Sequence, residues 1–283
     1  MINKHITQSS IRVIRLAIIG LWLLSSWTAH ALPQQALVPG GIALLKLPDY
    51  KADTVIEFNG KRVAVFNHQA TWYALAGIPL SSSAGDHEFS FKYSNGVTLK
   101  HKITVEPKKY EEQHLTIKNK RKVNPAPVDM ERISSERVRK SKARKHWSDT
   151  MPRPEFIWPA EGEISSIFGL RRFFNEQERK PHNGLDIAAA EGTPVKVVAD
   201  GKVIESGDFF FSGNMIYVDH GQGIITLYAH LSRIDVKPGD SVKQGDIIGA
   251  VGKTGRVTGP HLHFAVYANQ TLVDPLFLLP AKQ

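Results

Sequence analysis

The sequence predicts a mainly β protein with three parts: a small antiparallel, sandwich-like β domain, a charged and partly helical linker, and a C-terminal antiparallel β domain. Three observations carry this expectation. Short runs rich in valine, isoleucine and aromatics alternate with turn signals such as Asn59-Gly60. Glycine and proline punctuate the second half at close intervals, as in EGTPV, ADGKV, DHGQG and KPGDSVKQGD. Between the two β regions lies a stretch dense in charge and poor in large apolar groups.

Residues 1–31 have the layout of a cleaved secretory signal. Lys4, Arg12 and Arg15 make a basic start, Leu16 to Leu24 is an apolar run, and the small residues Ala29 and Ala31 flank His30. The apolar run is about half the roughly 20 residues needed to cross a bilayer. The expectation is export across the inner membrane to a periplasmic location, with no membrane span once the signal is removed. The chain has no cysteine, so an exported form must rely on ordinary cores rather than disulfides. Loss of the three signal cations takes the formal charge from +9 to +6, which favours encounter with anionic envelope polymers or lipid head groups.

Residues 32–105 read as the β-rich N-terminal domain. TVIEF-NG-KRVAVF places an Asn-Gly pair between two β-rich runs, and HEFSFKYSNGVTLKHKITV repeats the arrangement around Ser-Asn-Gly. No set of chemically active side chains clusters there. Residues 106–150 are mostly basic and read as a solvated linker with a helix around Asp129 to Lys145. They lack the aromatic interleaving of a base-stacking surface, so nucleic acid is not an expected partner.

Residues 151–283 hold the chemistry. Of twelve histidines, His5 and His30 lie in the signal, and His68, His87, His101, His114 and His146 stand without a second ligand at useful spacing. His182, His220, His230, His261 and His263 remain. In GPHLHF, side chains at i and i+2 of a strand share one face, so His261 and His263 can serve one pocket. His182 opens HNGLDIAAA with Asp186 four residues on, and Gly184 argues for a loop entering a strand that folds both towards one point. Those two with one histidine of HLH give three protein ligands and leave a fourth position open, the mark of catalytic rather than structural zinc. Zinc lowers the pKa of water held there from 15.7 towards about 7. His230 and the other histidine of HLH are candidates to move protons or steady an intermediate. His220, in VDHGQG, reads as a structural turn residue.

HNGLD, LYAHL and GPHLHF, in that order within a glycine-punctuated β domain, resemble the lysostaphin/LytM-type peptidoglycan zinc metallo-endopeptidases. The resemblance runs from about Trp158 to Leu279 and includes SSIFGLRR and GDSVKQGDIIGAVGKTG. It implies a LytM-type antiparallel β catalytic domain holding one zinc ion on His182, Asp186 and His263, with His230 and His261 as unliganded catalytic histidines. It also implies peptidoglycan stem peptides and cross-links as partners, and a D-alanyl–diaminopimelate bond as the favoured target. Ala265 departs from the acidic or amide residue of many relatives, which leaves the ligand set intact but alters the groove floor or an outer contact. FFNEQERK and the aromatic run Phe209 to Phe211 imply loops of different shape beside the groove. One rival is a non-enzymatic wall-binding protein or activator of other murein hydrolases, which needs no metal ligands. Another is a biotinyl- or lipoyl-type carrier with Lys253 as the modified lysine, although GKTG lacks the usual flanking residues. Segment order also raises the expectation that residues 37–150 restrict access to the groove. Nothing in the sequence sets the oligomeric state.

Overall fold

The computed structural model describes residues 32–282 except Asp49, so the segment read as a signal, 1–31, lies outside the described residues. The N-terminal region is built from two antiparallel sheets. One carries Ile42–Lys46, Thr71–Gly77 and Ala64–His68, with Thr71–Gly77 in the middle. The other runs Lys61–Arg62, Val55–Phe58, Gly85–Lys92 and Thr98–Val105. Asn59 and Gly60 close the first hairpin with φ of 47° and 76°, the paired left-handed geometry that Asn-Gly supplies. The partner strand then ends at Arg62, and beyond Val63 the chain crosses to the other sheet. The run KRVAVF is therefore split between layers rather than continuing one hairpin.

The period of two decides what each face meets. Ala43, Val65, Ala74 and Ala76 face Ile56, Phe58 and Phe89 of the second sheet. Their neighbours Ile42, Ala64, Phe66, Tyr73 and Leu75 point the other way, into a core shared with the C-terminal domain. Two amides fasten that junction. Asn269 accepts from the Gly77 N–H at 2.5 Å and donates to its carbonyl at 3.4 Å, while Gln222 accepts from the Val65 N–H at 2.8 Å.

In the C-terminal domain, Gly201–Phe209, Gly213–Asp219, Ile225–Ile234, His261–Ala268, Leu185–Ala188 and Glu163–Ser166 lie side by side, each antiparallel to the next. Along His261–Ala268 the alternation is strict. Leu262, Phe264, Val266 and Ala268 enter the core shared with the N-terminal region, whereas Ala265 and Tyr267 join Tyr217 and Leu227 on the opposite face, beside His261 and His263.

Residues 106–150, expected as a solvated linker with a helix, are largely exposed but dock on the C-terminal domain at defined points. Glu112–Leu115 is a strand paired in parallel with Arg171–Phe174. The helix, expected over 129–145, spans Met130–Arg144 and lies along Gly201–Phe209. Arg139 donates to both carboxylate oxygens of Glu205 at 3.0 and 2.6 Å, Arg132 donates to Asp208 at 2.8 Å, and Glu136 accepts from the Phe210 N–H at 2.8 Å. Charged side chains that read as solvated find fixed partners far along the chain, so the segment docks. Among the described residues no helix is long and apolar enough to cross a membrane.

Candidate metal centre

Three neighbouring strands place the candidate ligands and bases. Asp186 stands directly opposite His263 on one side, and Ala229 opposite His263 on the other. His182 lies in the loop before Leu185–Ala188, its N–H donating to the Leu170 carbonyl and its carbonyl accepting from the Gly169 N–H, both at 2.8 Å. Asp186 Oδ1 comes 3.0 Å from His182 Nε2 and 2.7 Å from His263 Nδ1, and the two nitrogens are 3.2 Å apart. Atoms bonded tetrahedrally at 2.0–2.1 Å would stand about 3.3 Å from one another. The trio is thus gathered almost to metal-binding spacing, and the residues present fit a small divalent ion.

The outer contacts fix which atoms face the centre. His182 Nδ1 lies 2.7 Å from the Ile167 carbonyl, which can only accept, so Nδ1 carries the proton and Nε2 presents its lone pair inward. Arg172 donates to Asp186 Oδ2 at 2.7 Å, leaving Oδ1 for the centre. Arg172 in turn donates to Gln113 at 3.0 Å and to Ser166 at 3.1 Å. Sequence reasoning missed Arg172 and Gln113, because neither stands in a ligand-like motif and both act by folding next to one.

Close approach at Gly184 has a clear cause. A methyl group there would lie 2.5 Å from the Phe264 carbonyl oxygen and 2.7 Å from His263 Cε1, so only a hydrogen leaves room for the imidazole.

His230 and His261 stand beside the trio, their ring centroids 4.9 Å apart, and His230 is 6.0 Å from His263 by the same measure. By simple alternation His230 would point away from Ala229's face. The pairing with Gly213–Asp219 shifts between Asn214 and Ile216, where Ala229 and His230 oppose a single residue, and His230 has φ of 66°. This bulge with a left-handed residue turns the ring onto the site. Nδ1 of His230 donates to the Thr254 carbonyl at 2.8 Å and Nδ1 of His261 to the Gly259 carbonyl at 2.9 Å. Each therefore keeps Nε2 unprotonated and free to take a proton.

Burial sets the charge states. It lowers the His182 imidazole to about 4, outweighing the opposing effect of Asp186. Burial, reinforced by neighbouring histidines, holds His230 well below its ordinary value, and burial also lowers His261. Burial alone would raise Asp186, but its close contacts with His182 and His263 overcome it and hold the carboxyl well below the usual range. The neutral His182 imidazole and the ionised Asp186 carboxylate, with the His263 ring nitrogen beside them, form a donor set for a cation.

The structure thus brings His182, Asp186, His230, His261 and His263 together. His220 lies elsewhere, buried, with Nδ1 donating to the Asp200 carbonyl and Nε2 facing Thr226, both at 2.8 Å. Lys253 is an exposed lysine paired with Glu191 at 3.0 Å. Ala265 is buried in the apolar face beside the site. Of the aromatic run, Phe209 and Phe210 are buried and Phe211 lines the cavity next to His230. From residues 37–150, helix Met130–Arg144 lines the cavity beside His230, Gln113 of strand Glu112–Leu115 accepts from Arg172, and Lys122 of the short helix Lys120–Val123 donates to the Phe210 carbonyl.

Residues 180–275 match peptidase family M23 and residues 35–108 match the peptidase family M23 N-terminal domain. The chain is 43% identical over 119 residues to the peptidoglycan DD-endopeptidase ShyA of Vibrio cholerae, covering 41% of this chain and 28% of that protein. It is 40% identical over 133 residues to the cell division protein DipM of Caulobacter vibrioides, covering 44% and 21% respectively. It therefore spans about a quarter of the length of these curated relatives. A crystal structure from Pseudomonas aeruginosa described as a peptidase M23 aligns with a TM-score of 0.73 at 36% identity, over 86% of this chain and 95% of that one. A likeness at this identity that takes in nearly the whole of that structure, together with matches to both family domains, means that this chain belongs to peptidase family M23.

Proposed function

We propose that the chain is an exported zinc endopeptidase that hydrolyses peptide cross-links of peptidoglycan in wall remodelling, with the D-alanyl–diaminopimelate bond as its target and the periplasm as its place of action. The observation that carries this reading is the convergence of His182, Asp186 and His263 at near-ligand spacing beside two histidines whose Nε2 atoms are free. A donor set of two imidazoles and one carboxylate suits zinc. Zinc, when held there, supplies a Lewis acid and an activated water.

The protein's own residues do the rest. Arg172 keeps Asp186 turned towards the metal, and the Ile167 carbonyl keeps His182 in the required tautomer. His230 or His261 accepts the proton of the attacking water at Nε2, and the resulting imidazolium returns it to the leaving amine. The partner histidine accepts a hydrogen bond from the same water at its own free Nε2 and so orients the attack. Burial favours neutral rings before reaction and makes each a ready proton donor once charged.

The test pairs metal analysis with product analysis. Alanine at His182, Asp186 or His263 should lower zinc content and activity together. Alanine at His230 or His261 should spare zinc and reduce turnover by about 10²–10⁴. Mass spectrometry of products from purified walls, with and without chelator, identifies the bond. Wall binding without any cleavage by zinc-loaded protein would instead favour the binder or activator reading.

A further inference from the structure

A cavity of about 540 Å³ opens beside His230 and His263, and its lining is strongly one-sided in charge. Helix Met130–Arg144 contributes Arg137, Lys140 and Arg144, and the rest of the lining contributes Arg172, Arg179, Lys180 and Arg256. The single acid in the lining is Glu136, whose carboxylate already accepts from the Phe210 N–H and from Arg132. Arg172 has Asp186 as a partner. Among the described residues, no carboxylate pairs with Arg137, Lys140, Arg144, Arg179 or Arg256.

Two of these cations are held in place by the fold. Lys140 donates to Ser212 at 2.9 Å, and burial lowers its ammonium to about 8. The Arg256 guanidinium lies 4.6 Å from the Phe174 ring centroid and 4.7 Å from that of Phe211, which fixes its plane. Burial, then repulsion from Arg172 and Arg179, makes it too a less comfortable cation. Partly buried positive charges without counter-charges are costly, and an anion entering the cavity would relieve that cost. The Arg139–Glu205 and Arg132–Asp208 pairs clamp the helix that supplies three of these seven cations.

We infer that this cavity is a carboxylate-recognising subsite in which Lys140 and Arg137 of the helix, with Arg256 opposite, receive free carboxylates of the peptide being cleaved. The inference rests on the proposed peptidoglycan reading, whose stem peptides carry such carboxylates beside the cross-link. It makes the docked helix one wall of the substrate site, whereas a simple plug would only obstruct it.

The experiment uses the full mature chain loaded with zinc and two synthetic cross-linked stem-peptide dimers, one with free carboxylates and one with its side carboxylates amidated. Wild-type protein should show KM about tenfold lower for the free-acid dimer, as expected for a charge-assisted hydrogen bond worth about 1.4 kcal/mol or more. In Arg137→Gln/Lys140→Met the KM ratio of the two substrates should collapse towards one, with zinc content unchanged. Arg137→Gln alone, at an exposed position, should lower the ratio in part and keeps the test open if the double variant fails to fold. Cleavage of both dimers with equal KM by wild type overturns the carboxylate inference alone. Cleavage of neither by zinc-loaded protein removes the peptidoglycan reading and the inference with it. Faster turnover of both dimers by the double variant would make the helix a plug, which also overturns it.

Discussion

Gly184→Ala should detach the metal from a fold that otherwise survives. The added methyl would meet the Phe264 carbonyl oxygen at 2.5 Å and the His263 ring atoms Cε1 and Nε2 at 2.7 and 2.9 Å, where ordinary contact begins near 3.4 Å. The imidazole and its strand must yield by about 0.5–0.9 Å to restore normal packing. His261–Ala268 cannot move freely, being hydrogen-bonded to Leu185–Ala188 on one side and Ile225–Ile234 on the other. The ring therefore takes most of the displacement, which exceeds the roughly 0.2 Å tolerance of a metal–ligand bond. Merely disturbing an outer contact costs about 10–100-fold in metal affinity, so shifting a ligand should cost about 100-fold, or about 2.7 kcal/mol. Overpacking should also destabilise the metal-free protein by about 1–3 kcal/mol. The assay is zinc competition against a chromophoric chelator, with near-ultraviolet circular dichroism to confirm folding. Gly259→Ala, where a methyl meets nothing within 4 Å, is the control and should bind zinc normally. Zinc affinity within threefold of wild type in Gly184→Ala would refute the steric reasoning.

Arg172→Gln removes the guanidinium from Asp186 and should weaken zinc binding about 10–100-fold in the same competition assay; an unchanged affinity would show that the carboxylate orients itself. His220 predicts a pH effect on stability. Burial lowers its folded pKa, so the unfolded chain takes up a proton near 6.5 that the folded chain resists. Its stabilising contribution is complete above about pH 6.5 and is lost as pH falls below it, by at most about 1.4 kcal/mol per pH unit. Urea midpoints between pH 5 and 7 should therefore vary less steeply in His220→Gln than in wild type, and equal slopes would sink the assignment.

The site was legible in the sequence because its residues sit at intervals that strand geometry converts directly into position. His261 and His263 share a face by their spacing, and Gly184 reads as a turn that folds His182 and Asp186 towards one point, whereas its close approach to the His263 ring shows only in the fold. The orientation of His230 was not legible, since alternation points it the wrong way and only the bulge turns it back. Hairpins closed by glycine-bearing turns announced themselves, whereas those at Gln69-Ala70, Asn175-Glu176 and Asn269-Gln270 place two non-glycine residues at positive φ and carry weak turn signals. The docking of residues 106–150 was hidden for another reason. A linear reading counts Arg139 and Glu205 as two separate solvated charges, and only the fold shows them as a pair.

The three-stranded sheet of Ile42–Lys46, Ala64–His68 and Thr71–Gly77 belongs to two interiors at once, giving alternate residues of each strand to either side. Neither half of the molecule is therefore a free-standing cassette. Grafting the histidine-bearing half onto another protein, or exchanging the leading half for a foreign one, would strip a raw oily surface that has no second purpose. Changes to this shared layer must satisfy both neighbours together, which couples the two regions during any substitution, recombination or redesign.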